Sequence, residues 1–195
     1  MERELTLLAE AVRKAGAKVR ELVRSGFEVQ TKSDHSPVTT VDLEVNRILH
    51  EMQRREFPLD GWLSEESPDD SARLTRPRVW IVDPIDGTKA LVKGMPEFCI
   101  SASLVERGIP VVAAILNPST DELFTAVRGG GLFLNGSRVT ISLDQKTDPV
   151  IMVNAWELRI DRWSKLAKTV RCRPIYSIAY ALALVAAGRI QAALT

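Results

Sequence analysis

The sequence predicts an α+β fold in which helices pack on a largely antiparallel sheet. Two amphipathic helices come first, several strands then follow one another across short turns, and a last helix and strand close the chain. Consecutive strands joined by turns favour antiparallel pairing, and amphipathic helices need a sheet on which to bury their apolar faces. The 195 residues are enough for one domain with a real core, or for part of a larger one.

The helices are predicted from apolar residues that recur at steps of three and four. The first covers residues 3–24, and the second begins at Thr39 and ends near Pro58. An alanine-rich helix follows over residues 177–187, and Gly188 is its C-terminal stop signal. Ser177 is expected to cap that helix through its hydroxyl.

The strands are predicted where β-branched and aromatic residues lie between turn residues. In chain order they cover residues 62–63, 78–82, 98–106, 111–117, 122–127, 150–154 and 190–194. Loops and turns are predicted at residues 31–37, 108–110 and 118–121, residues 89–94 form a short helix or loop, and the glycines between 129 and 136 frame a hairpin. Most strands are therefore close neighbours in sequence, as in an antiparallel sheet.

Composition excludes several classes of protein. The 26 basic and 25 acidic residues leave a net charge of +1, so neither a nucleic acid polymer nor a membrane surface is an expected partner. No apolar stretch approaches the about 18 residues of a membrane span, and the N-terminus does not resemble a signal peptide. Cys99 and Cys172 cannot form a disulfide framework, and Cys99 is expected to be buried. We therefore expect a cytoplasmic protein.

Two carboxylates follow the strand at residues 78–82. Asp83 and Asp86 are separated by Pro84 and Ile85, which are expected to form a turn that directs both carboxylates and the Ile85 carbonyl to one side. Acidic groups at the mouth of a buried strand need a compensating partner, and Mg²⁺ prefers such oxygen ligands. An ordinary turn without a site explains the same residues.

Other acidic residues could join this pair. Glu65 follows the strand at residues 62–63, and if that strand runs beside the one before Asp83, the two acids lie close together. Asp42 belongs to a Thr-x-x-Asp pattern, so it either caps a helix or shares a catalytic water. Asp69 and Asp70 are expected to belong to a solvated acidic loop.

Gly87 and Thr88 follow Asp86 at the start of a possible helix. Backbone N–H groups at a helix start bind phosphate oxygens, and glycine allows a close approach. The Thr88 hydroxyl could orient a water molecule, or it could serve only as a helix cap. His35 and His50 lack partners at zinc spacing and are expected to be structural or exposed.

Five separated motifs in the same order resemble those of the inositol monophosphatase family, the Mg²⁺-dependent, lithium-sensitive phosphomonoesterases. They lie at residues 32–42, 64–67, 80–88, 129–136 and 177–189. The most specific reads Trp-Ile-Val-Asp-Pro-Ile-Asp-Gly-Thr over residues 80–88. The resemblance covers residues from about 5 to 195 and implies the layered α/β sandwich of the sugar phosphatases.

The resemblance implies two or three Mg²⁺ ions. Glu65, Asp83 and the Ile85 carbonyl would bind the first ion, and Asp83 and Asp86 would bind a second. Glu65 would also contact a third, more weakly held ion.

The resemblance also assigns the reaction. Asp42, Glu65 and Thr88 would position or activate the attacking water, and Asp86 with the N–H groups of Gly87 and Thr88 would hold the phosphate-bearing substrate. The implied mechanism is in-line attack by metal-activated water without a phosphoenzyme.

Family members continue beyond the strand that residues 190–194 resemble, into a Trp-Asp motif whose aspartate completes the second metal site. Residues 1–195 are therefore expected to be an inositol monophosphatase-like domain that lacks the C-terminal part of the fold, cut from a longer protein. If Thr195 were the natural end, we expect weak binding of the second metal ion and little hydrolysis. A non-catalytic binding protein on the same scaffold would then be the alternative.

The substrate stays open among small phosphate esters. Inositol monophosphate comes first, and 3′-phosphoadenosine 5′-phosphate is the alternative because Lys89 is reminiscent of the bisphosphate nucleotidases. Histidinol phosphate and fructose 1,6-bisphosphate are further possibilities, and a structural Ca²⁺ site is a weaker interpretation of the acids. The resemblance also implies a homodimer.

Overall fold

In a computed structural model of the chain, the described residues are 1–33, 35–141, 149–159, 163 and 168–194. Asp34 of the first motif and Thr195 lie outside them. The helices are α1 (Glu2–Ser25), α2 (Thr40–Glu56), α3 (Thr88–Val92), α4 (Ala155–Arg159) and α5 (Ile178–Ala186), with a 3₁₀ helix at Ser71–Thr75. The strands are β1 (Val29–Thr31), β2 (Pro37–Thr39), β3 (Gly61–Ser64), β4 (Arg78–Asp86), β5 (Cys99–Glu106), β6 (Ile109–Asn117), β7 (Glu122–Val127), β8 (Gly131–Leu134), β9 (Ser137–Arg138), β10 (Val150–Asn154), β11 (Arg171–Ile175) and β12 (Ala192–Leu194).

The main sheet has seven strands in sequence order, from β3 to β9. Every neighbouring pair in it is antiparallel except β3 and β4, which run parallel. Strands β11, β10 and β12 form a separate parallel sheet, and β1 and β2 form an antiparallel hairpin. The predicted α+β fold with a mostly antiparallel first sheet is confirmed.

Each face of the main sheet has its own hydrophobic core. Helices α1 and α2 pack on one face, where α1 buries Leu8, Val12, Ala15 and Val19 at helical spacing. Helix α5 packs on the other face, beside the three-stranded sheet. Strand β5 shows the division, because its residues 100, 102 and 104 enter the first core while Cys99 enters the second. Cys99 is fully buried, as predicted.

Several boundaries differ from the predictions. The predicted loop at residues 31–37 contains the ends of the β1–β2 hairpin, in which Thr31 pairs with Pro37. The predicted turn at residues 108–110 is shifted, since Ile109 and Pro110 belong to β6 and the turn residues are Arg107 and Gly108, both at positive φ. Helix α4 and strand β11 were not predicted, because both are short and β11 is polar.

The parallel pair β3–β4 places the acidic residues at one edge of the sheet. Leu63 pairs with Ile81 and Ser64 with Val82, so both strands reach this edge together. Glu65, the next residue after β3, donates its N–H to the Val82 carbonyl at 3.3 Å. The expected proximity of Glu65 and Asp83 thus follows from strand pairing.

Within the described ranges, none of the helices combines the length and apolar character that crossing a bilayer demands.

Gly16 tests the close packing of α1 on β6. A Cβ atom at this buried position would overlap with Cδ2 of Leu116, a fully buried residue of β6. We expect Gly16→Val to lower the free energy of unfolding by about 2 kcal/mol, because overpacking forces the helix from the sheet. Ala17→Val on the exposed side of the same helix is the control, and urea denaturation compares the two. Equal effects of both substitutions would contradict close packing at Gly16.

Candidate functional site

A bulge in β4 brings Asp83 and Asp86 to the same side of the sheet. Residues three apart in a regular strand point to opposite faces. Here Asp83 lies opposite Ser101 and Asp86 opposite Cys99, so three steps on β4 match two on β5. The extra residue restores a common face, and Pro84, which has no N–H to donate, falls within the irregular part. The predicted turn after the strand is therefore wrong, although its consequence for the carboxylates holds.

Asp83 is the least compensated acid of the site. Its Oδ1 atom is buried and has no hydrogen-bond partner in the described part of the chain. Burial, together with the negative charges of Asp86, Glu65 and Asp42, raises the pKa of Asp83 to about 8. The Ile85 N–H opposes the shift only in part. At neutral pH this carboxyl needs either a proton or a cation.

Asp86 is held by the start of α5. Its Oδ2 atom accepts hydrogen bonds from Ser177 Oγ at 2.7 Å and from the Ala179 N–H at 2.6 Å. Burial raises the pKa of Asp86, and these two donors oppose the rise. Ser177 also caps α5 by accepting from the Tyr180 N–H at 3.2 Å, and its Oγ lies 3.4 Å from Cys99 Sγ. The predicted cap is present, but the bond from Ser177 to Asp86 was missed.

Asp42 caps helix α2, as one of its two predicted roles required, and it also contacts Thr88. Its Oδ2 atom accepts from the Thr39 N–H at 2.8 Å, which completes a capping box at the start of α2. Its Oδ1 atom lies 3.0 Å from Thr88 Oγ1, which is also 2.9 Å from the Ile85 carbonyl. Burial raises the pKa of Asp42, and the bonds from Thr39 and Thr88 oppose this. The cap residue thus reaches the site through a hydroxyl.

Gly87, rather than Thr88, is the N-cap of α3, so the interpretation of Thr88 as a cap is wrong. Gly87 has φ of 96°, and a Cβ atom here would lie 3.1 Å from Ser177 Cβ and 3.3 Å from the Glu97 carbonyl oxygen. Among the described residues, no acceptor receives the N–H of Gly87 or of Thr88. Two amide donors therefore lie beside the carboxylates.

Glu65 is positioned by its backbone, and its side chain is bound to Lys32. The Glu65 carboxylate is 53% exposed and accepts from Lys32 Nζ at 2.8 Å. Lys32 also contacts Glu66 at 2.6 Å, and these two bonds raise the pKa of Lys32 although partial burial opposes them. Lys32 belongs to the first motif, but its contact with Glu65 was not predicted.

Most of the predicted residues line one small cavity of about 180 Å³. Its walls include Glu65, Asp83, Ile85, Asp86, Gly87, Thr88 and Lys89. Asp42 stands behind Thr88. A larger cavity of about 830 Å³ lies between α2 and the 3₁₀ helix, but it contains neither Asp83 nor Asp86. The smaller cavity is the candidate site because the unpaired carboxylate and the amide donors meet there.

The acids do not yet form a compact ligand set. Across the parts of the chain that the structure describes, no three His, Cys, Asp or Glu side chains converge closely enough to hold a metal ion. Lys32 holds the Glu65 carboxylate and Ser177 holds that of Asp86. A cation at Asp83 would therefore compete with Lys32 for Glu65.

Residues that were predicted to be uninvolved lie elsewhere. Asp69 pairs with Arg73 at 2.6 Å, and Asp70 caps the 3₁₀ helix through the Ala72 N–H. His50 stacks on Trp62 with ring centroids 4.6 Å apart, which is a structural role. None of these side chains lines the small cavity.

Comparison with known proteins identifies relatives along the whole chain. The sequence model described as "Inositol monophosphatase family" matches residues 1–195. The chain is 36% identical to an inositol-1-monophosphatase of Rhizobium meliloti, over 95% of this chain and 73% of that protein. It is 34% identical to inositol monophosphatase 2 of Solanum lycopersicum, over 75% of this chain and 56% of that protein. The solved structure of an IMPase from Thermotoga maritima superposes with a TM-score of 0.85 at 29% identity, over 97% of this chain and 74% of that one.

The raised pKa of Asp83 predicts that, without bound metal, the free energy of unfolding falls as the pH rises. The folded protein keeps a proton on Asp83 up to its pKa of about 8, whereas the unfolded chain loses it near pH 4, about the ordinary pKa. The free energy of unfolding therefore falls as the pH rises between these values, by up to about 1.4 kcal/mol per pH unit. We expect Asp83→Asn to reduce this slope, to which the raised pKa values of Asp42 and Asp86 also contribute, and to be the more stable protein above about pH 8.

Urea denaturation in the presence of EDTA, at about pH 5, 7 and 9, measures this slope. Asp69→Asn is the control, because its bond to Arg73 lowers the pKa of Asp69 and the substitution should reduce stability slightly. An unchanged slope in Asp83→Asn would show that Asp83 ionises freely in the folded protein.

Proposed function

The chain belongs to the inositol monophosphatase family, a family of phosphoric monoester hydrolases, and from that premise we propose that it hydrolyses a small phosphate monoester such as inositol monophosphate, with bound Mg²⁺. The observation that carries the proposal is the buried, unpartnered Oδ1 atom of Asp83 beside Asp86 and Glu65. A buried carboxyl among like charges is stabilised by a cation, and its oxygen donors suit Mg²⁺.

The chemistry of the donor atoms suits such an ion, although the described side chains are not gathered into a ligand set while Lys32 is bound to Glu65. Glu65, Asp83 and the Ile85 carbonyl are proposed to hold one Mg²⁺, and Asp83 with Asp86 to hold a second. The donors are all oxygen atoms, as Mg²⁺ requires, and they come from the ends of two adjacent strands. Bound Mg²⁺ would neutralise the phosphoryl oxygens and lower the pKa of a water molecule.

Thr88 and Asp42 are proposed to take the proton of the attacking water. The Thr88 hydroxyl has one proton, which it can donate to Asp42 Oδ1 at 3.0 Å. Its oxygen can then accept a hydrogen bond from water in the cavity. Burial raises the pKa of Asp42, so this carboxylate accepts a proton more readily than an exposed one would.

Gly87 and Thr88 are proposed to bind the phosphate through their N–H groups. The positive φ of Gly87 and its missing side chain allow the backbone to approach the substrate closely. The two amides have no acceptor in the described part of the chain. Phosphate oxygens would supply the acceptors.

Release of inorganic phosphate from inositol 1-phosphate with Mg²⁺ tests the proposal. We expect Asp86→Asn to reduce turnover on the order of 100-fold, since losing a ligand removes a few kcal/mol of transition-state stabilisation. Asp69→Asn removes an equal charge outside the cavity and should retain turnover. Unchanged turnover in Asp86→Asn would overturn the assignment of the site. Metal binding without any phosphate release would favour the non-catalytic alternative.

Lys89 favours a second candidate, 3′-phosphoadenosine 5′-phosphate. Its side chain is exposed at the wall of the cavity and makes no ion pair with any residue that the structure describes. A substrate that carries two phosphates could place one at Gly87 and Thr88 and the other beside Lys89. Inositol monophosphate has no second phosphate for this contact.

Lys89→Met separates the two candidates. If the bisphosphate is the substrate, we expect its KM to rise about tenfold, the value of one charge-assisted contact, while that for inositol monophosphate stays constant. Lys14→Met changes the net charge equally on α1, away from the cavity, and is the control. Equal KM changes for the two substrates would remove the support for a bisphosphate.

The remaining expectations have different grounds: the homodimer rests on the family resemblance, and the cytoplasmic location rests on the composition and the N-terminal sequence. A homodimer and a cytoplasmic location stay predictions. A purely structural Ca²⁺ site would be supported only if Ca²⁺ bound and Mg²⁺ supported no turnover.

A further inference from the structure

Asn46 connects helix α2 to the segment that carries Glu65. It lies one helical turn after Asp42, and its side-chain amide is half-buried. Its Oδ1 atom accepts from Ser64 Oγ at 2.7 Å, while Nδ2 donates to the Glu66 carbonyl at 3.2 Å and to Ser67 Oγ at 2.9 Å. One side chain thus bonds to the residues on both sides of Glu65.

The backbone N–H groups of the turn around Glu65 make only long hydrogen bonds. The Glu65 N–H reaches the Val82 carbonyl at 3.3 Å, and the Ser67 N–H reaches the Ser64 carbonyl at 3.4 Å. The Glu66 N–H lies 3.3 Å from Ser64 Oγ. These distances are at or beyond the long end of ordinary hydrogen bonds, whereas two of the Asn46 bonds are short. Lys32 bonds the carboxylates of Glu65 and Glu66, and Asn46 supplies the shortest hydrogen bonds to the backbone and serine groups of this turn.

We propose that Asn46 is a positioning residue that fixes Glu65 beside Asp83 for binding of a divalent cation, an inference that rests on the proposed function. The Glu65 carboxylate is half exposed, and its one hydrogen bond within the described residues comes from Lys32, which a cation would displace, so the backbone then has to set its place. Without Asn46, the Glu65 carboxylate has to be ordered when the cation binds, and this costs affinity. Partners that orient metal ligands typically contribute about 10–100-fold to metal affinity.

Gln53 provides a matched control on the same helix. Its carboxamide is buried and donates to the Phe57 carbonyl at 2.9 Å and to the Asp60 carbonyl at 3.1 Å. It therefore bonds a loop to α2 with the same chemistry as Asn46, at the end of the helix away from Glu65. Substitution of Gln53 should therefore loosen a loop bound to α2, as substitution of Asn46 does, without disturbing Glu65.

Binding of Mn²⁺ to the full chain, followed by electron paramagnetic resonance of the free ion, tests the role. We expect Asn46→Ala to weaken Mn²⁺ binding at least about tenfold and Gln53→Ala to leave it unchanged. Mn²⁺ binding as tight as that of the natural chain in Asn46→Ala, or equal losses in both variants, would overturn the positioning role. Ser67→Ala removes one of the Asn46 bonds and should weaken binding to a smaller extent, which keeps the test available if Asn46→Ala does not fold.

Hydrogen exchange provides a readout that needs no metal. We expect the amides of Glu65 and Glu66 to exchange faster in Asn46→Ala than in the natural chain or in Gln53→Ala. If the natural chain bound no Mn²⁺, the proposed function would fail, and exchange would still show whether Asn46 holds the turn. Unchanged exchange at Glu65 and Glu66 in Asn46→Ala would overturn the inference by itself.

Discussion

Repulsion among Asp83, Asp86 and Glu65 is the constraint on which the rest of the site depends. These carboxylates lie near one another because β3 ends beside Val82 of β4 and because the bulge turns Asp83 and Asp86 to one face. Asp83 and Asp86 cannot move apart, since Trp80, Val82 and Ile85 of the same strand, β4, are buried in the core under α1 and α2. The rigidity of the core therefore keeps the charges together, and only a proton or cation relieves them.

Helix α2 transmits this rigidity to the site. Its apolar side packs on the main sheet. Asp42, Asn46 and His50 follow one another at intervals of one helical turn and lie on the side that faces β3 and α3. Asp42 reaches Thr88, Asn46 reaches the segment around Glu65, and His50 stacks on Trp62. The placement of one helix thus sets both the proposed proton acceptor and the turn that carries the proposed ligand Glu65. A shift of α2 would disturb both parts of the proposed reaction together.

The sequence predicted that several candidate residues lie close together, but not all of their partners. Adjacent strand ends predicted that Glu65 and Asp83 are close, because strand patterns are local, and the parallel pairing of β3 with β4 confirms this proximity. The bond from Ser177 to Asp86 joins residues 91 positions apart, and the contact of Lys32 with Glu65 joins residues 33 apart. No local pattern reports such contacts. The sequence predicted a turn at Pro84 and Ile85 instead of the bulge. A bulge is defined by how the residues of β4 pair with those of β5, and this pairing is not visible in the sequence of β4 alone.

The contacts of the metal-free site indicate how it would respond to a cation. Glu65 is paired with the charge of Lys32, Asp86 accepts hydrogen bonds from neutral donors at the start of α5, and Asp83 keeps its own proton at neutral pH, since its pKa is about 8. A cation would have to displace Lys32 from Glu65 and the proton from Asp83. It would not have to displace the donors to Asp86, because they occupy only one of the two carboxylate oxygens. Cation binding at Asp83 would therefore be coupled to release of its proton and to departure of Lys32 from Glu65. The affinity would then be set by the balance between these displaced contacts and the oxygen ligands, to which Asn46 is proposed to contribute by keeping Glu65 within reach.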